Sequence, residues 1–558
     1  MRSERAFTVR LLAVLATCAI AFAACGGGDD DDDSANSSEG SGEEGGTIVD
    51  YGTFVADPPA HIDPALNNMV DAYTVVNALY DGLTELDTTD PANVVVKPLV
   101  AESWEANADA TEYVFKIKDG LVFSNDEAVL PSSFVRGWER ATEPDFAGYY
   151  SYLFGSFIEG GQAKLDGEAD TISGVTADDD AMTLTVKLTA PYSNFPTVAG
   201  FQTFMPMPEA VEELDDQTEW ENGVMIGNGP FKMAEARTDE LIVIERNDKW
   251  GGDIFGNTRA LPDKIEFHIS GDPESSYDAL ESGEGDTASI PSGRTAEAQE
   301  NYGTTIDTPI LGSYHYNFSA EDPAVAGPEN KLLRQAISQA INDDEINDAV
   351  YDGTRTTSTG ITPKGIPGWK ADTCDYCLYD QEAAQAAFDE WKSAGNEQAA
   401  PIKIQFPRDS GQDDLVQIVI DNLKAVGIEA EAEPMAGETY IEDLAGGACQ
   451  FCMTGWFADY PTYDNFMFDL FASESQNNIL AYSNPTFDDL VSQAKQTVDP
   501  AEQGTLFNQA EEVLLNEDVA AVPFNWYNGT YAYNQDKLKN FTQTPLGLIL
   551  WEQVEVSE

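Results

Sequence analysis

The sequence predicts a mixed α+β protein with two large lobes. Its 558 residues correspond to three or four domains at roughly 150 residues each, or to two lobes, and 42% of them are hydrophobic, which suffices for a large core. Strand-like segments dominate before about residue 310, and segments with helical periodicity appear after it. No internal repeat is evident, so the fold class depends on these two kinds of segment.

Three segments of the first half carry the strand prediction. Tyr113–Lys118 and Leu184–Leu188 alternate apolar and polar residues, as half-buried strands do. Leu241–Ile244 is a short continuous apolar run, which favours a buried strand. Together these segments predict sheet structure in the first half.

Three segments of the second half carry the helix prediction. In Asp413–Val426 apolar residues recur three and four positions apart, and Gly427 follows as a stop signal. Asn330–Val350 and Pro500–Asn516 show the same periodicity. Asp499 precedes Pro500, which predicts an N-cap followed by proline at the first helical position.

The N-terminus has the three-part layout of a secretory signal. Three arginines precede the apolar run Leu11–Ala24, which is short for a membrane span and ends in small residues. Its end and the following Cys25 resemble the lipobox of bacterial lipoproteins, with Phe22 in place of the usual Leu. We therefore predict that residues 1–24 are a signal peptide and that lipidated Cys25 anchors an exported protein to the outer face of the cell membrane. The alternative is an ordinary secreted protein.

The composition of residues 25–46 predicts a flexible acidic tether. After Cys25 they contain only Gly, Asp, Ser, Ala, Asn and Glu, so they cannot bury apolar surface. The run Asp29–Asp33 lacks the spaced ligands and central glycine of a calcium loop. No other run of 18 apolar residues exists, so no membrane-spanning helix is predicted in the body.

The strong negative charge excludes several classes of partner. The chain has 29 Lys and Arg against 99 Asp and Glu, a net charge of −70. Residues 1–24 carry +2 and residues 25–46 carry −8, so the body carries −64. Nucleic acid is not an expected partner, because phosphate contacts need Lys and Arg, and a polybasic grip on anionic lipid is equally unexpected.

Four cysteines remain in the body as two C-x-x-C pairs. They are Cys374 with Cys377 and Cys449 with Cys452, and 71 residues separate the pairs, far more than in a zinc ribbon. An exported protein folds in an oxidising compartment, so disulfides are the favoured outcome. Zinc binding and redox chemistry are the alternatives, and the sequence leaves all three disulfide connectivities open.

The sequence offers no support for catalysis. Its three histidines stand outside any H-E-x-x-H motif, and no G-x-S-x-G, Walker or G-x-G-x-x-G motif occurs. Paired carboxylates could serve a glycosidase, but among 99 acidic residues such pairs are uninformative. No catalytic residue, cofactor or metal is therefore assigned, and a secreted hydrolase stays only as an alternative.

Motifs spread over nearly the whole body carry a family resemblance. In chain order they are Asp63–Ala65, Val76–Leu83, Leu99–Trp104, Tyr113–Ser124, Asn228–Lys232, Ile244–Asn247, Leu333–Ile341 and Gly455–Pro461. In this order, behind a lipobox, they resemble the peptide-binding family (family 5) of ABC-transporter solute-binding proteins. Other branches of that family bind nickel, haem, sugars or antibiotics, so the resemblance leaves the solute open.

The resemblance implies a periplasmic-binding-protein-like fold of type II, with a hinge and a ligand cleft between two lobes. Lobe 1 would comprise residues 47–310, with an inserted subdomain around 76–195, and lobe 2 residues 311–524. Residues 525–558 would return to lobe 1. The protein would act as a monomer and hand its solute to an ABC permease with its ATPase subunits.

A segment without cations indicates where a solute would bind. From Ala425 to Ala494 there is no Lys, Arg or His in 70 residues, whereas 12 acidic and 11 aromatic residues occur. Carboxylates and aromatic rings both attract cations, so this composition favours an amine-bearing ligand.

The resemblance assigns roles to single residues of this segment. Asp459 would receive the α-ammonium of a peptide, and the backbone of Gly455 and Phe457 would pair with it as an added strand, with Trp456 in contact. From the first lobe, Asn68, Met69, Val70 and Tyr149 would face the cleft. Tripeptide-binding relatives have an arginine where this chain has Met453, so how the far end of the ligand is held is left open.

Overall fold

A computed structural model describes residues 44–90, 94–146, 148–254, 256, 258–408 and 411–557. The predicted signal peptide 1–24, the predicted lipidation at Cys25 and the tether up to residue 43 lie outside the described residues. In the last part of the tether, the backbone of Gly45 donates a hydrogen bond to Leu261 O. Among the described residues, no helix is both long and apolar enough to span a membrane.

Strands and helices alternate along the described chain. The strands are β1 Thr47–Phe54, β2 Thr84–Asp87, β3 Val95–Pro98, β4 Ala101–Ala106, β5 Glu112–Ile117, β6 Val175–Asp178, β7 Thr183–Lys187, β8 Phe231–Met233, β9 Leu241–Arg246, β10 Lys264–Ile269, β11 Thr287–Ser289, β12 Gly303–Thr304, β13 Pro309–Phe318, β14 Thr356–Thr357, β15 Ile402–Pro407, β16 Ala430–Met435, β17 Phe451–Phe457, β18 Ala521–Asn528, β19 Tyr531–Tyr533, β20 Leu538–Lys539 and β21 Glu555–Val556. The helices are α1 Val70–Leu79, α2 Pro131–Ala141, α3 Tyr152–Phe157, α4 Gly161–Leu165, α5 Phe195–Val198, α6 Pro273–Ser282, α7 Thr295–Asn301, α8 Lys331–Ala340, α9 Asp343–Val350, α10 Gln381–Ser393, α11 Asp413–Ala425, α12 Tyr440–Asp443, α13 Asp464–Phe471, α14 Pro485–Gln496 and α15 Pro500–Glu512.

Two large sheets organise the described residues. One has the strand order β12-β19-β11-β1-β10-β9-β8, and the other has the order β14-β18-β13-β17-β15-β16. The chain crosses between them twice, through residues 305–308 from β12 to β13 and through residues 529–530 from β18 to β19. A smaller sheet, in the order β4-β5-β7-β6, is formed by residues 101–187.

The six-stranded sheet has two different faces. On one face Tyr316 of β13 and Phe451 of β17 pack in a core with α8, α10 and α11, to which Leu333, Phe388 and Leu415 contribute. Side chains alternate along a strand, so the intervening residues of β13 and β17 face the other way. That second face carries polar side chains and forms part of the cavity described below.

The predicted strands and most of the predicted helices are present. β5, β7 and β9 cover the three predicted strands, and Asp499 caps α15 by accepting hydrogen bonds from the backbone of Ala501 and Glu502. One helix prediction is wrong, because Asn330–Val350 is two helices rather than one. Asn342 separates them, and its side chain accepts a hydrogen bond from Glu345 N as the cap of α9.

The division into strands first and helices later is also wrong. Helices α1, α2 and α6 lie before residue 310, and all strands of the six-stranded sheet begin at or after Pro309. Strand β18 is buried along nearly its whole length. Such a strand lacks the alternation by which a half-buried strand is found in sequence.

Each C-x-x-C pair is bonded within itself. One disulfide bond joins Cys374 to Cys377 and a second joins Cys449 to Cys452. All four residues are buried. Of the connectivities that the sequence left open, the structure has the one with the two shortest loops. Cys452 belongs to β17, so the second bridge fixes the start of the strand that leads to the cavity.

Candidate functional site

A cavity of about 720 Å³ lies between the chain around the start of α1 and strand β17. Every residue predicted to bind ligand lines this cavity, including those near the N-terminal part of the body and those of the segment without cations. These residues are Asn68, Met69, Val70, Tyr149, Gly455, Trp456, Phe457 and Asp459. The structure thus brings the predicted set together, whereas their contact with a ligand stays a prediction.

Asp459 stands at one side of this cavity with neutral hydrogen-bond partners. Its Oδ1 accepts from the Tyr150 hydroxyl at 2.7 Å, and its Oδ2 accepts from Asn465 Nδ2 at 3.1 Å. Burial raises the pKa of Asp459 to about 6, although both hydrogen bonds act to lower it. Among the described residues, no Lys, Arg or His forms an ion pair with Asp459.

Asn465 organises the surroundings of Asp459. It is fully buried in α13, and its Oδ1 accepts from Trp456 Nε1 at 3.1 Å and from the backbone N–H of Asp459 at 3.0 Å. Its Nδ2 also donates to Asp469 Oδ2 at 2.9 Å. Burial raises the pKa of Asp469 to about 7. One amide side chain therefore holds the aromatic ring and both carboxyl groups in place.

Lys495, the first cation after this segment, does not pair with Asp459. It follows directly on the segment without cations, and its Nζ lies 3.2 Å from the centre of the Phe468 ring. Its charge acts to lower the pKa of Asp469, and it does not contribute to that of Asp459. The carboxyl group of Asp459 therefore lacks a positive partner in the described part of the chain.

Strand β17 has an open edge beside the cavity. It pairs with β13 over its whole length but with β15 only at its first two residues. Beyond these two, no described strand pairs with β17 on that side. Ala458 N donates to Leu311 O on the β13 side at 2.7 Å. Backbone groups alternate in direction along a strand, so the N–H groups of Phe457 and Gly455 point towards the open edge.

Asn68, Met69 and Val70 reach the cavity through a fixed turn. Asn67 holds this turn, because its Oδ1 accepts from Met69 N and its Nδ2 donates to Met69 O, both at 2.9 Å. The Met69 side chain is left 55% exposed. The Tyr149 side chain is held by a residue from the second half of the sequence, because its hydroxyl donates a hydrogen bond to Asn477 Oδ1 at 3.1 Å.

Met453 does not face the cavity. It is 2% exposed in the core beneath the helices, and its carbonyl accepts a hydrogen bond from the Tyr440 hydroxyl. A positively charged side chain, that of Arg355, is present in a second cavity. Arg355 lines a neighbouring cavity of about 280 Å³, which shares Val70, Asp71 and Phe457 with the first.

Arg355 is held by aromatic rings rather than by acids. Its guanidinium lies 4.4 Å from the centre of the Tyr527 ring and 5.1 Å from that of Tyr351, and no described acid forms an ion pair with it. Burial lowers the pKa of this guanidinium. The two cavities together therefore contain the carboxyl groups of Asp459 and Asp71 and the guanidinium of Arg355, and none of these forms an ion pair among the described residues.

Sequence reasoning missed Tyr150, Asn465 and Arg355. Tyr150 stands next to the predicted Tyr149, and Asn465 lies inside the segment without cations, so a search for polar neighbours of Asp459 could have included both. Arg355 follows a short Asp-Gly-Thr turn and belongs to no motif, so nothing in the sequence connects it with the cavity.

Relatives and solved structures agree on the fold. The chain is 26% identical over 502 residues to the dipeptide-binding protein DppE of Bacillus subtilis, covering 88% of this chain and 89% of the relative. It is 24% identical over 490 residues to the oligopeptide-binding protein OppA of the same organism, covering 86% and 87%. The structure of the Escherichia coli murein tripeptide binding protein MppA is similar, with a TM-score of 0.75, 22% identity and coverage of 92% and 99%.

These comparisons confirm the predicted α+β fold with two lobes, a hinge and a cleft between them. The model of the bacterial extracellular solute-binding proteins, family 5 Middle, matches residues 95–478, which is more than half of the sequence. Members of this family bind solutes and are not enzymes, so the hydrolase alternative has no support. The chain belongs to family 5 of the bacterial extracellular solute-binding proteins.

Proposed function

We propose that this protein is the extracytoplasmic binding component of an ABC importer and that it captures a peptide, or another amine-bearing solute, between its two lobes. Lobe closure removes the bound solute from water and presents the closed complex to the permease, which works with its ATPase subunits. The protein performs no chemistry on the solute and needs no cofactor.

The observation that carries this proposal is the partnerless carboxyl group of Asp459. A buried carboxylate is costly unless a positive group accompanies it, and Tyr150 and Asn465 supply only neutral hydrogen bonds. A ligand ammonium would complete the pair. The half-buried ring of Trp456 beside it adds the attraction of an aromatic face for a cation.

Two further features favour a peptide over a simple amine. The open edge of β17 offers the N–H groups of Gly455 and Phe457 to an extended backbone. In the adjoining cavity, Arg355 is available for an anionic group, such as the carboxylate at the far end of a peptide. Two relatives bear names that state dipeptide and oligopeptide binding.

The arrangement of the chain belongs to the same proposal. Residues 47–310 form lobe 1, with the inserted subdomain around 76–195, residues 311–524 form lobe 2, and residues 525–558 return to lobe 1. Cleavage before Cys25 and its lipidation anchor the protein outside the cell membrane, and the acidic tether lets a monomer reach the permease.

The test is calorimetric titration with trialanine and with N-acetyl-trialanine, which lacks the ammonium. Trialanine should bind the wild-type protein and the acetylated peptide should not. Asp459→Ala should weaken trialanine binding by about 2–5 kcal/mol, the cost of breaking a buried charge pair. Asp443→Asn, an exposed acid of the same segment, is the matched control and should leave binding unchanged.

Equal binding of both peptides, or unchanged affinity of Asp459→Ala, would overturn the assignment of Asp459. Native mass spectrometry of gently purified protein identifies a solute that co-purifies. A non-peptide solute without an amine would replace the peptide in this proposal.

A further inference from the structure

The larger cavity brings together exposed apolar side chains. Among the described residues nine large apolar side chains are exposed, and four of these line this one cavity. They are Met69 at 55%, Tyr149 at 43%, Ile441 at 55% and Phe457 at 39%. A single exposed apolar residue is ordinary on a protein surface, whereas several that meet in one concave region mark a place where apolar groups bind.

These side chains are exposed on backbone that is held in place. Asn67 fixes the turn that presents Met69, through two hydrogen bonds with the Met69 backbone. Ile441 belongs to α12, which the buried Tyr440 anchors, because its hydroxyl donates to Met453 O at 2.8 Å. The exposure is therefore a property of the folded chain. A ligand that covers these side chains removes their apolar surface from water, which favours binding.

The ionisable side chains of the cavity are neutral or negative. Its acids are Asp71 and Asp459, and neither forms an ion pair within the described chain. In the described lining His315 is the one basic residue, and burial lowers its pKa to about 3, so its ring is neutral. Arg355 lines the neighbouring cavity, where the proposed function places the far carboxylate of the peptide. An acidic side chain of the ligand would therefore meet like charge in the larger cavity.

We infer that the peptide bound here carries bulky apolar side chains, such as that of leucine, and that the cavity discriminates against acidic ones. The apolar side chains of the ligand cover the four exposed ones of the cavity, while its ammonium pairs with Asp459. The Met69 side chain is unbranched and adapts to apolar groups of different shape, so a class of side chains is selected rather than one residue. The inference rests on the proposed function, because it names the class of peptide for the same cavity.

Two other classes of side chain fit this lining less well. Asparagine has the shape of leucine, but on entry it would exchange hydrogen bonds to water for apolar walls. Lysine would direct its ammonium to Asp71, which lies in the first turn of α1. There the carboxylate already accepts from Ala72 N at 2.8 Å, and the N-terminus of the helix compensates part of its charge. Asp71 therefore has less need of a ligand cation than Asp459 has.

The test compares peptides of similar shape and different chemistry. Calorimetry is performed with alanine tripeptides that carry one leucine at the first, second or third position, and with their asparagine, aspartate and lysine counterparts. At one position or more, leucine should bind about 10–100-fold more tightly than asparagine, the effect of covering a leucine side chain with apolar walls. Aspartate should bind about tenfold more weakly again, because the acids of the cavity repel it. Lysine should not exceed leucine at that position.

Variants of the cavity locate the source of the preference. Ile441→Asn and Met69→Gln replace exposed apolar side chains by polar ones of similar size. Each should reduce the preference for leucine over asparagine by about threefold or more, because apolar contact area is lost. Leu378→Asn is the matched control. Leu378 is 55% exposed, as Ile441 is, but it lines neither cavity of the candidate site. Its variant should keep the full preference.

The outcomes separate this inference from the proposed function. If tripeptides bind but leucine and asparagine are equivalent at every position, the apolar preference is wrong and peptide binding stands. The preference is also wrong if lysine or aspartate binds more tightly than leucine throughout, or if both cavity variants keep the full preference for leucine. If no tripeptide binds, the proposed function fails and this inference fails with it. Should a variant not fold, the wild-type comparison alone decides.

Discussion

Two aspartates of this protein, Asp63 fully buried and Asp459 half-buried, have opposite surroundings. Asp63, in the turn before α1, is fully buried and meets Arg140 in a two-pronged ion pair, with Nη1–Oδ1 at 2.9 Å and Nη2–Oδ2 at 2.5 Å. It also accepts from the backbone of Ala65. Asp459 has only Tyr150 and Asn465. One carboxylate is neutralised within the chain, and the other is not.

This difference distinguishes an acidic side chain that stabilises the fold from one that is available to bind a ligand. Both aspartates belong to motifs of the family resemblance, so the motifs alone do not distinguish their roles. A buried carboxylate with its own arginine has no remaining need for a cation, and its side chain fixes the fold around it. A buried carboxylate that faces a cavity without a cation has such a need. Four predictions test this contrast.

Breaking the internal pair should have the largest effect. Arg140→Met leaves Asp63 buried without a counter-ion and should lower the free energy of unfolding by about 3–5 kcal/mol. Denaturant unfolding measures the loss. The exposed pair of Lys232 and Glu245 is the control, and Lys232→Met should cost less than about 1 kcal/mol. Equal losses in both variants would remove the contrast between a buried and an exposed pair.

Replacing Arg355, whose guanidinium forms no ion pair among the described residues, should weaken ligand binding and leave folding unchanged. Arg355→Met should weaken trialanine by about 1.5–3 kcal/mol, the worth of a hydrogen bond to a charged group, and leave trialanine amide unchanged. Titration of both peptides into both proteins gives the difference. Equal weakening of the acid and the amide would show that Arg355 does not meet the ligand carboxylate.

Neutralising Asp459 should stabilise the protein when no ligand is present. A pKa raised from 3.8 to about 6 by burial means that the folded chain loses stability as pH rises between these values, and does not regain it above them. At pH 8, Asp459→Asn should therefore raise the free energy of unfolding by about 1–2 kcal/mol, whereas Asp63→Asn should lower it. A loss of stability in Asp459→Asn would show that its carboxylate is already compensated.

The pH dependence of binding should show the smallest effect. An ammonium pairs with the ionised form of Asp459, so the affinity for trialanine should be highest between a pH of about 6 and the pH near 8 at which the peptide ammonium loses its proton, and it should fall about tenfold per pH unit below about 6. Asp469, with a pKa raised to about 7, is mostly protonated in that range and adds little. Asp459→Asn should abolish the dependence. A flat profile in the wild-type protein would contradict the pairing.

The sequence was most informative where function depends on a continuous segment. Strand β17 and Asp459 follow one another in the chain, so a motif describes their backbone and places Gly455, Trp456 and Phe457 beside the same cavity. Contacts between distant segments have no such record. The hydrogen bond from Tyr150 to Asp459 joins residues 309 positions apart, and Arg355 reaches the neighbouring cavity only because β14 pairs with β18.

The errors in secondary structure have physical causes as well. Apolar residues recur at helical spacing on both sides of Asn342, so periodicity merges two helices that a side-chain cap separates. Strand β18 has neighbours on both sides and is buried on both faces, so the alternation that reveals β5 and β7 is absent from it.

The two crossovers between the large sheets are hydrogen-bonded to each other. Thr305 N donates to Tyr531 O at 3.0 Å, Tyr531 N donates to Thr305 Oγ1 at 3.1 Å, and Gly529 N donates to Thr308 O at 3.0 Å. They therefore form a two-stranded ribbon and cannot bend independently without losing these bonds. The two large sheets are therefore connected by one hydrogen-bonded unit instead of two separate segments.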